Sequence, residues 1–154
     1  MEEHYLSEAI RLAVESISQG GGPFGAVIVR NGQILARGTN RVTPLNDPTA
    51  HAEIQAIREA CEALADFRLS GCVLYTSCEP CPMCLSACYW SRLSEIIYAG
   101  SQSEAARGGF DDSFIYQELS LPTDERSLPI RRLLADRGNE PFEAWKNFPG
   151  RVEY

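Results

Sequence analysis

Apolar residues recur at helical spacing near the start of the chain. Leu6, Ile10, Ala13 and Ile17 fall on one face, with Glu8, Arg11 and Glu15 off it. The spacing predicts a helix over residues 5–18, ended by Gly20-Gly21-Gly22-Pro23 as the chain turns into a strand. Phe24 to Val29 is a short apolar run of strand type. Asn31-Gly32 is a strong hairpin signal, and Gln33 to Arg37 supplies the returning strand. Thr39 to Asp47 is polar and contains proline, hence a loop. A second helix opens at Pro48-Thr49, where Ala50, Ile54, Ile57, Cys61 and Leu64 step by four, three, four and three. Cys72 to Thr76 reads as a buried strand and Glu95 to Ala99 as another. Between them, Pro82 stands where a helix begins, and residues 83–91 fit a helix whose N-terminus is Cys81. This alternation implies β-α-β crossovers, a sheet parallel in its second half, and helices on both faces. From about Ser101 the pattern weakens, except for a short helix over residues 139–148 that carries Phe142, Trp145 and Phe148.

Composition narrows this picture. At 154 residues the chain is read as one domain, residues 1–154, with a core of useful size. It has 14 basic and 21 acidic side chains, a net charge of −7, and no basic cluster longer than Arg131-Arg132. That argues against a nucleic-acid partner, because phosphate backbones are gripped by Lys and Arg. No apolar run approaches the ~20 residues needed to cross a bilayer. The opening MEEHYLSEAIRL lacks a basic-then-apolar layout, so a cytoplasmic protein without a membrane partner is expected. Only two histidines are present, His4 and His51, and no G-x-S-x-G elbow or phosphate-cradling glycine loop accompanies them.

Two segments carry chemistry: His51-Ala52-Glu53 and Pro80-Cys81-Pro82-Met83-Cys84, both at expected helix N-termini. Cys81 and Cys84 are three apart, share a helix face, and can bind one ion. Zinc takes thiolate sulfur and imidazole nitrogen in a tetrahedron, and three protein ligands leave a fourth position open for water. A helix N-terminus favours the thiolate. His51 and Glu53 pose a difficulty, since two residues along a regular helix point roughly 200° apart. They can serve one site only if it lies off the helix end. Each half has a bland reading: a lone His-x-Glu usually has no function, His51 alone being more often a satisfied polar residue than a ligand, and a lone C-x-x-C is often structural zinc or redox. Together they spell H-x-E…P-C-x-x-C, the signature of zinc nucleobase deaminases. Two rivals use more cysteines. Cys78, Cys81, Cys84 and Cys88 have an iron–sulfur spacing, though Tyr89 follows where proline is usual. Cys78, Cys81, Cys84 and His51 would make a non-enzymatic structural zinc module, leaving Glu53 without a role. Cys61, Cys72, Cys78 and Cys88 are otherwise small apolar core residues.

At these residues the chain resembles the cytidine deaminase-like superfamily. GGPFGAVIV, NDPTAHAEIQAIR, LYTSCEPCPMCL, GFDDSFIY and the terminal FxAWxNF…EY are similar to the bacterial guanine deaminases within it, along nearly the whole length. The first three segments are shared loosely with tRNA adenosine deaminases. The resemblance implies a three-layer α/β/α sandwich around a five-stranded mixed sheet, with one zinc ion per subunit on His51, Cys81 and Cys84. It implies hydrolytic deamination of guanine to xanthine and ammonia, with Glu53 as the catalytic proton carrier. Another base (cytosine, tRNA adenosine or an aminotriazine) is the alternative substrate. The resemblance further implies purine contacts from Phe24, Asn40, the Ala52 amide, Asp112 and Tyr154. Trp90 is a weaker pocket candidate, and Glu79 and Glu143 are weaker candidates for a second proton carrier. It also implies a homodimer that exchanges its C-terminal segments, about residues 139–154, so that Tyr154 comes from the partner.

Overall fold

The computed structural model describes residues 2–154. Their contacts group into two units, one ending at Ser113 and one running from Phe114 to Tyr154.

The first unit is built on a four-stranded sheet. β1 (Gly25–Arg30) pairs antiparallel with β2 (Gln33–Thr39) and with β3 (Cys72–Cys78), and β3 pairs parallel with β4 (Glu95–Gly100), giving the order β2-β1-β3-β4. The hairpin forms where Asn31-Gly32 predicts it. Both residues have positive φ, 52° and 75°, the backbone that twists correctly into paired strands. Alternate side chains of β1 then serve two cores. Val27 and Val29 pack with Tyr5 and Leu12 of α1 (Glu2–Ser18) on one face. Ala26 and Ile28 pack on the other with Ala52, Ala56 and Ala60 of α3 (Ala52–Leu64) and Cys88 of α4 (Pro82–Trp90). The three-layer α/β/α arrangement follows. The loop expected over residues 39–47 contains one helical turn, α2 (Val42–Leu45).

Helix α1 begins three residues earlier than its spacing predicts and turns a different face inward. Tyr5, Ala9, Leu12, Ala13 and Ser16 are buried, whereas Ile10 and Ile17 are 43% and 56% exposed. The cause is close approach to the sheet. A Cβ on Gly25 would run into the Ala9 carbonyl and the Ala13 nitrogen, so α1 lies against the sheet along its Ala9–Ala13 backbone, and Ile10 and Ile17 point outward. Gly38 of β2 does the same for α3, against the Ala52 carbonyl and the Ala56 nitrogen.

The fifth strand implied by the resemblance is absent among the described residues; the sheet has four, the number read from the apolar pattern. After β4 the chain enters α5 (Gln102–Arg107) through a capping box: the Ser101 hydroxyl accepts the Glu104 N–H and the Glu104 carboxylate accepts the Ser101 N–H. α6 (Ser113–Ser120) follows. The long irregular stretch beyond it, residues 126–138, carries Pro129 and the Arg131-Arg132 pair and joins no ladder.

The second unit comprises most of α6, a short turn at Thr123–Glu125, and α7 (Glu140–Asn147), which forms where the aromatic-bearing stretch predicts it. Pro141 sits in its first turn. The Trp145 and Tyr154 rings meet edge to face, 6.5 Å between centroids. Every residue from Ser127 onward is exposed.

Candidate metal centre and active site

His51 is not a helical residue. It is the N-cap of α3, with φ −69° and ψ 157°, and Cys81 is the N-cap of α4 in nearly the same conformation, φ −66° and ψ 168°. An extended N-cap projects its side chain beyond the helix end, which removes the angular difficulty between His51 and Glu53. Glu53 lies one residue inside α3 past Ala52, and Cys84 lies in the first turn of α4. Pro82 has no N–H to leave unsatisfied and presets the helical φ, so it fixes where α4 begins.

The three ligand atoms converge. His51 Nδ1 is 3.5 Å from Cys81 Sγ and 3.5 Å from Cys84 Sγ, and all three atoms lie within 4.8 Å of one another. A tetrahedral zinc with ordinary bond lengths spaces a nitrogen and a sulfur ligand by ~3.5 Å, so the donor set fits zinc in both chemistry and spacing. Cys78 stands outside the cluster, its thiol directed at the Ser101 carbonyl at 3.9 Å. Cys88 is buried in the core one turn further along α4. The four-cysteine and four-ligand readings therefore do not assemble.

Charge is divided unequally between the two sulfurs. The Cys84 thiol, and then His51, hold Cys81 down to about 4. The same Cys81 contact, reinforced by burial, pushes the Cys84 thiol up. The Cys81 partner also raises His51. Glu53 is 6% exposed, and burial raises its carboxyl. Its Oε2 accepts from Cys84 Sγ at 3.4 Å, which places the carboxylate beside the ligands. The acids Glu53, Asp112 and Glu79 all bear on Cys78, pushed up to about 11 by burial first and by these charges next.

Of the other expected site residues, Asn40 is buried at the end of β2. Its Oδ1 accepts the Gly22 and Val42 N–H groups, both at 3.2 Å, so the glycine run and α2 fix the amide and leave its NH2 as the donor. Phe24 stands before β1, half-buried, with its ring 4.9 Å from that of Phe110 at 88°. Ala52 is fully buried as the first residue of α3, where a backbone N–H has no intrahelical acceptor. Asp112 is half-buried and accepts from Gln102 Nε2 at 2.9 Å. Glu79 accepts the Gln102 N–H at 3.1 Å, so its carboxylate is engaged in holding the start of α5. Trp90 lies at the far end of α4 from the ligands and is 65% exposed. Glu143 and Tyr154 belong to the second unit, where Glu143 contacts Asn139 and Lys146. Phe110 and Gln102 escape a reading of the sequence. Phe110 falls inside the GFDDSFIY segment, which is the only signal for it, and nothing local marks Gln102.

Two helix N-termini that aim one imidazole, two thiols and a buried carboxylate at a single point are the arrangement of a hydrolytic zinc deaminase. The chain belongs to the cytidine and deoxycytidylate deaminase family, since residues 1–100 match its "Cytidine and deoxycytidylate deaminase zinc-binding region". It is 52% identical over 153 residues to a guanine deaminase of Bacillus subtilis, covering 99% of this chain and 98% of that protein. The X-ray structure of guanine deaminase from Bacillus subtilis superposes with a TM-score of 0.96, at 52% identity, over 99% of this chain and 98% of that one. A tRNA-specific adenosine deaminase of Agrobacterium fabrum is 43% identical over 145 residues, covering 94% of this chain and 91% of that protein.

Proposed function

We propose that the protein is a zinc-dependent guanine deaminase that hydrolyses guanine to xanthine and ammonia. The observation that carries this reading is the convergence of His51, Cys81 and Cys84 with Glu53 against them, in a chain 52% identical to a guanine deaminase over almost its whole length. Zinc bound by these residues supplies Lewis acidity and lowers the pKa of water toward neutrality. Glu53 takes a proton from the water that adds to C2 of the purine. It delivers that proton to N3, then takes the proton of the new C2 hydroxyl and passes it to the departing amine, so that ammonia leaves and the carbonyl of xanthine remains. A buried carboxyl with a raised pKa suits a group that must both accept and donate.

The remaining contacts belong to the same proposal. Phe24, braced by Phe110, stacks on the ring. The Asn40 NH2 meets N7 or O6, the Ala52 N–H meets the carbonyl oxygen, and Asp112 takes the ring's N–H edge. The C-terminal segment, residues 139–154, exchanges between two copies, so that Tyr154 of one closes the site of the other. Both units then serve one catalytic domain. What supports the exchange is the exposure of Phe142, Trp145, Phe148 and Val152, 63%, 41%, 58% and 66%, on a single chain. Glu143, carried on the exchanged segment, is the second proton carrier of this proposal; Glu79, whose carboxylate holds the start of α5, and Trp90, at the far end of α4 from the ligands, are left out of it. No helix among the described residues is long and apolar enough to cross a membrane, in keeping with a cytoplasmic enzyme.

A steady-state assay of ammonia release tests the substrate. Guanine should be turned over, and adenine, cytosine and tRNA should not. Release from tRNA adenosine without release from guanine would move the protein to the other branch of the family, and zinc binding with no deamination would leave a structural metal protein.

A further inference from the structure

We propose that Gln102 is the positioning residue for Asp112 and thereby sets how tightly the purine edge is held. The inference rests on the reading of Asp112 as a purine contact. Asp112 lies in a segment, residues 110–112, that belongs to neither helix nor strand, just past Gly109 with φ 94°. No ladder fixes a carboxylate in such a segment, and among the described residues one side-chain hydrogen bond does: Gln102 Nε2 donates to Asp112 Oδ1 at 2.9 Å. Oδ2 accepts no hydrogen bond from them and is left for a ring N–H.

Gln102 is in turn anchored. As the first residue of α5 it gives its backbone N–H to Glu79 Oε2 at 3.1 Å, and the Glu79 N–H donates to the Gly100 carbonyl at 2.8 Å. Gly100 pairs with Cys78 across the ends of β4 and β3, two residues before Pro80 and three before the Cys81 N-cap. The capping box at Ser101 holds the same turn from its other side. Asp112 is thus referred, through two side chains, to the sheet end from which α4 and its ligands depart.

The chemistry of the connection is specific. An ionised aspartate only accepts, so its partner must donate, and the glutamine amide does. A glutamate at 102 would instead set a second carboxylate against Asp112 at hydrogen-bond distance. Placement of the ring depends on this bond, whereas the proton transfers at Glu53 do not.

The test is a double-mutant cycle with guanine as substrate, using Gln102→Met, Asp112→Ala and the pair together, with Gln102→Glu as a second probe. Zinc content and thermal unfolding are measured on every variant. Loss of a hydrogen bond to a charged group predicts a KM raised by ~10-fold or more in Q102M, with kcat little changed and zinc retained. Q102E should raise KM further. D112A should raise KM by at least as much, and Q102M added to D112A should change nothing more, because the partner is already gone. An unchanged KM in both Gln102 variants, or effects that multiply in the double variant, would overturn the proposal while leaving Asp112 in place. A D112A protein with unchanged KM would remove Asp112 from the purine edge, and the role of Gln102 with it.

Discussion

The two units of the chain differ in that only the first buries a hydrophobic core among the described residues. In the first, Val27, Ile28 and Leu74 are buried completely, and helices α1 and α3 approach the sheet so closely that Gly25 and Gly38 admit no side chain. In the second, Leu128, Leu133, Leu134, Phe142, Trp145 and Phe148 remain exposed on a single chain. Burying an aliphatic or aromatic side chain is worth ~1.5–3 kcal/mol, so the second unit leaves much of its stabilisation unused. The first unit carries its metal ligands on elements that their own core makes rigid. The second carries aromatic residues that are exposed on a single chain, which is the observation behind the proposed exchange.

The sharpest way to break this contrast is at the ligands. His51→Ala or Cys84→Ala should lose zinc and reduce guanine deamination to background, by elemental analysis and ammonia assay. Cys78→Ala should keep about one zinc per chain, because Cys78 stands outside the cluster. Loss of the metal from C78A would return the four-ligand reading.

The next effect belongs to the tail. If the tail closes a site as proposed, deletion of Arg151 to Tyr154 should spare zinc binding but depress turnover, since an unclosed site holds the ring poorly and admits water. If the tail serves a partner, mixing this truncation with an inactive Glu53→Gln protein should restore part of the activity once subunits exchange. A heterodimer then pairs an intact Glu53 with an intact tail. Exchange confirmed by mass without recovered activity would confine the tail to its own subunit.

The difference between the units also explains what could be read from sequence. Asn31-Gly32 and Cys81-Pro82 announce their structures because turn and cap chemistry is local, whereas the Ser101–Glu104 cap of α5 falls where the apolar pattern weakens and is seen only in the structure. The ligand set was legible for the same reason, each half lying at a helix start. The buried face of α1 was not, because Gly25 decides it from another element and the isoleucines give the stronger periodic signal. The fifth strand came from resemblance alone, and residues 126–138 have no strand pattern to support it. The roles proposed for Gln102 and Phe110 rest on contacts with Asp112 and Phe24 that sequence spacing does not bring together.

Smaller effects sharpen the comparison. Tyr154→Phe removes one hydroxyl and should cost ~0.5–1.5 kcal/mol of substrate binding or less, read as a modest rise in KM. On the surface of the first unit, hydrogen bonds from Arg11 and then Arg37 hold Glu8 at about 2. Its contribution to stability is therefore fully present above the ordinary value of 4.5 and disappears as the pH falls toward about 2. Glu8→Gln should lower stability by no more than ~1 kcal/mol near neutral pH, and urea titrations should show the difference from wild type closing across that acid range.

The central claim is that Glu53, beside zinc on His51, Cys81 and Cys84, moves the protons of guanine deamination. The direct measurement is the rate of ammonia release from guanine by wild type and Glu53→Gln, with zinc determined on the same samples. The account predicts about one zinc per chain in both, and a rate reduced at least ~10²-fold in the variant. A Glu53→Gln enzyme that keeps its zinc and turns over guanine within a few-fold of wild type would contradict it.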